Sequence, residues 1–188
     1  ELEIIDSQPP KFLNCTNGSS ISRVNDPGQC GAVVTITPTV MAQDNCNLLA
    51  FTETTPGSGD FFPVGNTVVT YTAVDNIGNV AVCEITVTVS DTQPPTITCP
   101  GNQPPVNTDP NQCSATVNFT APMAADNCGV ISFAPVTPIG PVFPEGVNTV
   151  TYVASDAAGN MTNCTFTVTV VDNQFPFIPN FPADLTAY

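Results

Sequence analysis

The chain has 188 residues, a formal net charge of −14 at pH 7, and neither histidine nor tryptophan. Histidine-based catalysis and histidine metal sites are therefore excluded. Lys11 and Arg23, the two basic residues, are too few to neutralise nucleic-acid phosphates or to hold the chain on an anionic membrane. The hydrophobic content of 41% predicts a folded core, and no apolar run has the length that membrane insertion requires.

Eight cysteines stand in a chain that has no histidine and no Cys-x-x-Cys pair. This pattern favours disulfides over zinc, and disulfides persist in oxidising, extracytoplasmic compartments. We therefore expect a secreted or cell-surface protein. The cysteines are Cys15, Cys30, Cys46, Cys83, Cys99, Cys113, Cys128 and Cys164.

Two sequence repeats follow one another along the chain. DSQPPKFLNC at 6–15 matches DTQPPTITCP at 91–100. Further on, FPVGNTVVTYTAVDNIGN at 62–79 matches FPEGVNTVTYVASDAAGN at 143–160 without a gap. The length agrees with one or two domains.

The two ends of the chain carry partial copies of the same pattern. ELEIID at the start matches the end of a repeat, and DNQFPFIPN from position 172 matches the beginning of one, with Asn180 at its first cysteine position. We therefore expect a window from a longer tandem array. Its predicted parts are the end of a preceding repeat at 1–5, complete repeats at 6–90 and 91–171, and the start of a third repeat at 172–188.

Apolar and polar side chains alternate in several short segments rich in Val and Thr. Such alternation predicts antiparallel strands with one buried face, and the cysteines fall in phase with that face. Turn residues separate the segments, which favours an all-β sandwich of about seven strands per repeat. The clearest examples, in chain order, are 83–89, 113–119, 150–154 and 164–170.

The motifs of each copy occur in one order. A D-x-Q-P-P segment, two cysteines, an Asp-Asn-Cys triplet, an F-P-x-G segment, a V-T-Y-x-A-x-D-x-x-G-N segment and a last cysteine follow one another. This order resembles the hyalin repeat (HYR) family, over both complete copies. The resemblance implies tandem immunoglobulin-like sandwiches, an extracellular location, structural or adhesive roles, and no catalytic residues.

Four cysteines per repeat allow three disulfide pairings. If the first strand ends at the first cysteine and the second strand begins at the second, antiparallel pairing brings these two together. The third and fourth cysteines then meet at the opposite end. The predicted bridges are Cys15 with Cys30, Cys46 with Cys83, Cys99 with Cys113, and Cys128 with Cys164.

Three aspartates per repeat are predicted to meet at one end of each sandwich. Converging carboxylates are ligands that Ca²⁺ prefers, with Asn127, Asn160 or backbone carbonyls as further ligands. The alternative is that these aspartates are ordinary turn formers. We therefore expect no required cofactor, with Ca²⁺ as the one candidate. The sets are Asp6, Asp44 and Asp75, and Asp91, Asp126 and Asp156.

Five Asn-x-Ser/Thr sequons are candidate glycosylation sites in a eukaryotic host. In a bacterium they would carry little meaning, and the sequence does not identify the host. They are Asn14, Asn17, Asn118, Asn160 and Asn163.

The leading functional prediction is a non-enzymatic stalk, in which stiff Pro-Pro linkers join neighbouring repeats. One alternative is a module that binds an extracellular protein or glycan through the loops at 53–62 and 134–143, which differ most between the copies. Another is a subunit of an extracellular filament that assembles through sheet edges. Catalysis by paired carboxylates is disfavoured, because the same acids recur in both repeats and no tryptophan is present to line a sugar cleft.

Overall fold

The computed structural model describes residues 5–136 and 139–176, and this part of the chain contains strands and no helix. It accordingly holds no helix with the length and hydrophobicity to cross a membrane. The segments predicted as partial repeats, 1–5 and 172–188, lie largely outside the described residues, as do positions 137–138 in the loop at 134–143.

Two compact units make up the molecule. The first comprises Glu1–Pro94 together with two loops of the second sequence repeat, Asp126–Gly129 and Asp156–Asn160. The second comprises the remaining segments: Pro95–Ala125, Val130–Ser155 and Met161–Tyr188.

Each sequence repeat contributes eight strands within the described residues. Those of the first repeat are β1 (Lys11–Phe12), β2 (Ser19–Val24), β3 (Gly31–Val33), β4 (Ala42–Gln43), β5 (Leu48–Glu53), β6 (Phe61–Pro63), β7 (Gly65–Asp75) and β8 (Val80–Ser90). Those of the second repeat are β9 (Thr96–Thr98), β10 (Val106–Asn107), β11 (Ser114–Thr116), β12 (Met123–Ala125), β13 (Val130–Pro135), β14 (Val142–Pro144), β15 (Gly146–Asp156) and β16 (Met161–Val171).

In the first unit a four-stranded sheet has the order β2-β8-β7-β5, with β2 parallel to β8 and the other neighbours antiparallel. Two antiparallel pairs, β1 with β4 and β3 with β6, form the other layer. The second unit has the equivalent order β10-β16-β15-β13, with the pairs β9 with β12 and β11 with β14. Each unit is an immunoglobulin-like β-sandwich, which confirms the predicted fold class.

The predicted alternation places the core correctly. Val87 and Val89 of β8 are fully buried, as are their counterparts Val168 and Val170 of β16, while the threonines between them face outward. The opposite layer supplies Phe62 to the first core and Phe143 to the second. A side-chain period of two thus puts one face of each long strand into the core.

A left-handed glycine follows the F-P-x motif in each repeat. Gly65 has φ 116° and Gly146 has φ 106°, a backbone conformation that other residues adopt only with strain. Each glycine begins the long central strand, and a single residue separates it from the short strand β6 or β14 in the other layer. The motif therefore marks the point at which the chain passes from one sheet to the other.

The predicted disulfide pairing is wrong. The structure joins Cys15 to Cys83, Cys99 to Cys164, and Cys30 to Cys128. Cys46 and Cys113 are exposed thiols, so neither the four predicted bridges nor the inward orientation of Cys113 holds.

The reason lies in the path of the chain after β1. Instead of turning back antiparallel, the chain crosses to the other layer and runs parallel to the last strand, with Ser19 opposite Ile85. The Gly18 amide donates to the Glu84 carbonyl at 2.9 Å. This path brings Cys15 to 6.4 Å from Cys83, measured between Cα atoms, which is a distance that a disulfide spans.

Candidate functional site

The first predicted aspartate set does converge. Asp6, Asp44 and Asp75, here named cluster 1, each offer a carboxylate oxygen, and these oxygens lie within 4.8 Å of one another. Asp6 precedes β1, Asp44 follows β4, and Asp75 ends β7. The turn residues around them thus place three carboxylates at one end of the sandwich, as expected.

Backbone amides hold one oxygen of each acid. Asp44 Oδ1 accepts from the Cys46 amide at 2.9 Å, and Asp6 Oδ1 accepts from the Gln8 amide at 3.1 Å. The second oxygens, Asp6 Oδ2 and Asp44 Oδ2, are buried and have no hydrogen-bond donor among the described residues. A buried carboxylate oxygen without a donor is costly unless a cation or water satisfies it.

The third acid of cluster 1 is the anchor of a turn. Asp75 is fully buried, and its Oδ1 accepts from the amides of Ile77, Gly78 and Asn79 at 2.7–2.9 Å. Burial alone would raise the pKa of Asp75, but hydrogen bonds from the Asn79 side chain and from these amides outweigh it and lower that pKa. The pKa of Asp6 is also lowered, chiefly by the Gln8 amide. Both groups therefore remain charged at neutral pH.

The second predicted set, Asp91, Asp126 and Asp156, is here named cluster 2 and has the same geometry. Its carboxylate oxygens also lie within 4.8 Å of one another. Asp91 Oδ2 and Asp126 Oδ2 are again buried without a donor. Asp156 is held like Asp75, by the Asn160 amide and side chain at 2.8 Å each, and its pKa is lowered because these bonds outweigh its burial.

A turn from the first repeat lies against cluster 2 within the first unit. Asn127 donates to the Gln29 carbonyl at 3.0 Å and to Asp91 Oδ1 at 3.4 Å, and the next residue, Cys128, is bonded to Cys30. Asp91 is accordingly 7% exposed, whereas its counterpart Asp6 is half-buried.

Sequence reasoning did not identify this covering turn, although a signal for it exists. The same pattern, Asp-Pro-x-Gln-Cys, occurs at 26–30 and at 109–113. The Gln29 carbonyl and Cys30 of the first copy bind Asn127 and Cys128, the two residues that follow Asp126 of cluster 2. A search for motifs that recur at equal distance from the cysteines would have found it.

The two asparagines expected as further ligands, Asn127 and Asn160, donate hydrogen bonds at cluster 2. The Asn160 amide nitrogen donates to Asp156 Oδ2 and approaches the carbonyls of Asp91 and Gln93 at 3.4 Å each. Asn127 likewise donates through its nitrogen. Each side chain thus donates a hydrogen bond to an acid of cluster 2, and the oxygens that converge in each cluster are those of the carboxylates.

The structure separates the five sequons into two groups. Asn160 is half-buried and uses its side-chain nitrogen in the bonds to Asp156, so a sugar there would break the turn. The other four asparagines are exposed and stay candidate acceptors, and among them Asn14 donates its side-chain nitrogen to the Thr39 carbonyl at 3.2 Å. They are Asn14, Asn17, Asn118 and Asn163.

Comparison with known proteins gives a family match over both repeats. The model of the HYR domain matches residues 5–89 and 90–170. The chain is similar to hyalin of Strongylocentrotus purpuratus, with 39% identity over 89% of this chain and 14% of the relative, and to hyalin of Lytechinus variegatus, with 35% identity over 88% of this chain and 31% of the relative. The chain therefore spans less than a third of either relative's length.

Solved structures with some likeness are cadherin ectodomains. Protocadherin Gamma C5 EC1-3 has a TM-score of 0.39 at 17% identity, with 87% of this chain and 68% of that chain covered. Drosophila N-cadherin EC1-3 has a TM-score of 0.30 at 16% identity, with 88% of this chain and 68% of that chain covered. The scores are low, and the fold assignment above comes from the strands themselves.

Proposed function

Because the chain belongs to the HYR domain family, we propose that it is a structural and adhesive segment of a multi-repeat protein, braced by disulfides and stiffened by Ca²⁺ at its aspartate clusters. The segment is secreted or on the cell surface, since its three disulfides require an oxidising compartment. Its role is mechanical spacing and not catalysis.

The observation that carries this proposal is the construction of cluster 2. A disulfide and a side-chain amide hold residues of both sequence repeats together inside the first unit, next to the three carboxylates of cluster 2. A chain of independent binding modules has no need of such fastening, whereas a segment that transmits load does.

The oxygens without donors support Ca²⁺ as the ion. Each cluster has two buried carboxylate oxygens without a donor and a third acid that stays charged. A divalent cation would satisfy these oxygens and relieve the repulsion among three carboxylates. Ca²⁺ accepts irregular sets of oxygen ligands, and extracellular modules bind it with Kd of about 10⁻⁴ to 10⁻³ M.

The decisive experiment is thermal unfolding of the oxidised chain in about 2 mM Ca²⁺ and in excess EDTA. One site with a Kd of about 0.2 mM would add about 1.4 kcal/mol under these conditions. We expect a higher Tm in Ca²⁺ and a smaller effect of Mg²⁺, which demands stricter octahedral geometry.

Paired variants locate the response. Asp91→Asn with Asp126→Asn removes two charges from cluster 2, and Asp6→Asn with Asp44→Asn does the same in cluster 1. Each pair should lose its share of the Ca²⁺ response without losing stability in EDTA, because removing like charges relieves repulsion. Glu145→Gln is the matched control, since this exposed acid lies outside both clusters. A Ca²⁺ shift that survives all four substitutions would refute the metal sites.

The spacer role has its own test. Small-angle scattering of the oxidised chain in Ca²⁺ should fit one extended conformer, and the fit should require a broader ensemble in EDTA. A compact particle, or identical scattering profiles in both buffers, would contradict calcium stiffening. Concentration-dependent growth would instead indicate the filament.

A second candidate function is recognition of an extracellular protein or glycan by the loop at 53–62. Glu53 Oε1 accepts from the Ser58 amide and the Tyr71 hydroxyl at 2.6 Å each, and Asp60 Oδ2 accepts from the Gly57 amide at 2.9 Å. A loop that is already ordered loses little entropy on binding. Saturable retention on a glycan or matrix-protein array that Glu53→Gln abolishes would favour this function.

A further inference from the structure

Two turns, one in each repeat, have the same shape. The first is 25–30, with sequence NDPGQC, and the second is 108–113, with sequence TDPNQC. In both, the glutamine amide donates to the aspartate carbonyl at 3.0 Å. Gly28 and Asn111 occupy the same left-handed position, with φ 72° and 60°. These segments are here named turn 1 and turn 2.

Both turns hold the glutamine of the Asp-x-Gln segment that follows the last strand of their own repeat. Gln93 accepts from the Gly28 amide and donates to the Asp26 carbonyl, each at 2.9 Å. In the second unit Gln174 accepts from the Asn111 amide and donates to the Asp109 carbonyl, also at 2.9 Å. Turn 2 therefore has the same conformation and the same two hydrogen bonds to a glutamine side chain as turn 1.

The cysteines that end the two turns differ in their bonding. Cys30 is bonded to Cys128, the cysteine of the second repeat's Asp-Asn-Cys triplet. Cys113 at the end of turn 2 is an exposed thiol, and so is Cys46, the cysteine of the first repeat's own triplet. Each thiol thus occupies one of the two positions that the Cys30–Cys128 bridge joins.

A pocket beside Cys46 matches the surface that turn 1 covers at cluster 2. It has a volume of about 410 Å³ and is lined by Asp6, Gln8, Asn45, Cys46 and their neighbours. The counterparts of these four residues at cluster 2 are Asp91, Gln93, Asn127 and Cys128. Three of them bond directly to turn 1: Gln93 and Asn127 by hydrogen bonds, and Cys128 by its disulfide to Cys30.

We propose that Cys46 and Cys113 each form a disulfide with a cysteine of an adjoining HYR repeat, as Cys30 and Cys128 do with each other. Cys113 forms its disulfide with the cysteine of the Asp-Asn-Cys triplet in a repeat that continues from Gln174. Cys46 forms its disulfide with the cysteine of an Asp-Pro-x-Gln-Cys turn in a repeat that precedes the first repeat. The partner in both cases is an adjoining HYR repeat of one chain, and the inference is independent of calcium.

The chemistry needs a disulfide oxidant such as glutathione disulfide. The Cys113 thiolate attacks it, one glutathione thiolate leaves, and a mixed disulfide forms. The incoming cysteine thiolate then attacks Sγ of Cys113 and releases the second glutathione. Two cysteine thiols are oxidised, one glutathione disulfide is reduced to two glutathione thiols, and the two cysteine protons pass to the leaving thiolates.

The test is an extended chain in which residues 1–171 are followed by a second copy of 91–188, so that a complete repeat continues from the end of β16. The 188-residue chain has eight cysteines and three disulfides, hence two thiols. After oxidation with glutathione, thiols are counted in denaturant. Pepsin fragments are then mapped without reduction, since two basic residues give trypsin too few cleavage sites.

The proposal predicts that the extended chain again has two thiols and that a fragment links Cys113 to the copied Cys128. Cys113→Ser in the extended chain should raise the count to three and abolish that fragment while the other bridges persist. Four thiols in the parent extended chain, or Cys113 bonded to another cysteine, would overturn the proposal. So would a ladder of the 188-residue chain linked through Cys46 and Cys113, which would assign the thiols to contacts between separate copies.

Discussion

Clusters 1 and 2 contain the same three aspartates, the same turn and the same pair of oxygens without donors, but their surroundings differ. At cluster 2, Asn127 and Cys128 are half-buried and bound to turn 1, whereas their counterparts Asn45 and Cys46 are exposed. The first unit thus contains one covered and one open version of a single site. Burial of the site depends on a neighbouring turn as well as on the repeat's own residues.

The largest expected effect tests the two cores. Phe166 is 2% exposed and meets Phe119 edge-on at 4.9 Å, while its counterpart Ile85 lies in a core without that aromatic contact. Phe166→Ala should cost about 4 kcal/mol and Ile85→Ala about 3 kcal/mol. Urea unfolding gives the magnitudes, and hydrogen exchange should localise each loss to its own sandwich. Val147→Ala, at a position that is 70% exposed, is the control; an equal loss there would contradict the core assignment.

The next largest effect is expected when turn 1, which covers cluster 2, is released from its disulfide. Cys30→Ser with Cys128→Ser deletes a bridge that spans 98 residues and should cost about 2–4 kcal/mol, because the unfolded chain regains conformational freedom. Thermal unfolding measures the loss. Amide exchange at Asn127 and Cys128 should rise to the rate at Asn45 and Cys46; unchanged protection would mean that hydrogen bonds alone hold the turn.

A smaller effect distinguishes the two tyrosines. The Tyr71 hydroxyl donates to Glu53 at 2.6 Å, whereas Pro135 stands at the position equivalent to Glu53 in the second repeat. Tyr71→Phe should cost about 1.5–3 kcal/mol, as expected for a bond to a charged group, and Tyr152→Phe should cost less than about 0.5 kcal/mol. Equal losses in urea unfolding would contradict the assigned bond.

The same tyrosine predicts a pH dependence. Burial, followed by the bond to Glu53 and its charge, raises the pKa of Tyr71. A folded-state pKa above the unfolded value of about 10 means that stability is fully present below pH 10 and falls as pH rises beyond it. The decline in Tm above pH 10 should be shallower in Tyr71→Phe than in the parent; parallel curves would contradict the shift.

The smallest effect compares the two amides beside the clusters. Asn127→Ala removes a bond of 3.0 Å to the Gln29 carbonyl and should cost about 1 kcal/mol. Asn45→Ala removes a 3.4 Å contact with Asp6 at an exposed position and should stay within about 0.5 kcal/mol. The difference in Tm between the two variants measures how much the contact of turn 1 with Asn127 contributes to stability.

Sequence reasoning succeeded where the information is local. The alternation in β8 and β16 predicted the buried valines, because side chains in a strand change faces at every residue. Turn residues predicted that Asp44 and Asp75 lie at one end of the sandwich. It failed for the disulfides, because it treated each repeat as closed and paired its first two strands antiparallel, whereas β1 pairs with β4 and β2 runs parallel to β8.

The sequence by itself determined the repeat, the sandwich, the core face of each long strand and the six aspartates that form the clusters, since motif spacing and strand periodicity act over short distances. Only the tertiary structure decided which cysteines meet, which cluster is covered and which asparagines serve as donors. Those outcomes depend on the parallel course of β2 beside β8 and on contact between segments such as Cys30 and Cys128, which are 98 residues apart. The recurring Asp-Pro-x-Gln-Cys motif marks the turn, but strand periodicity and motif spacing do not state which distant segment it contacts.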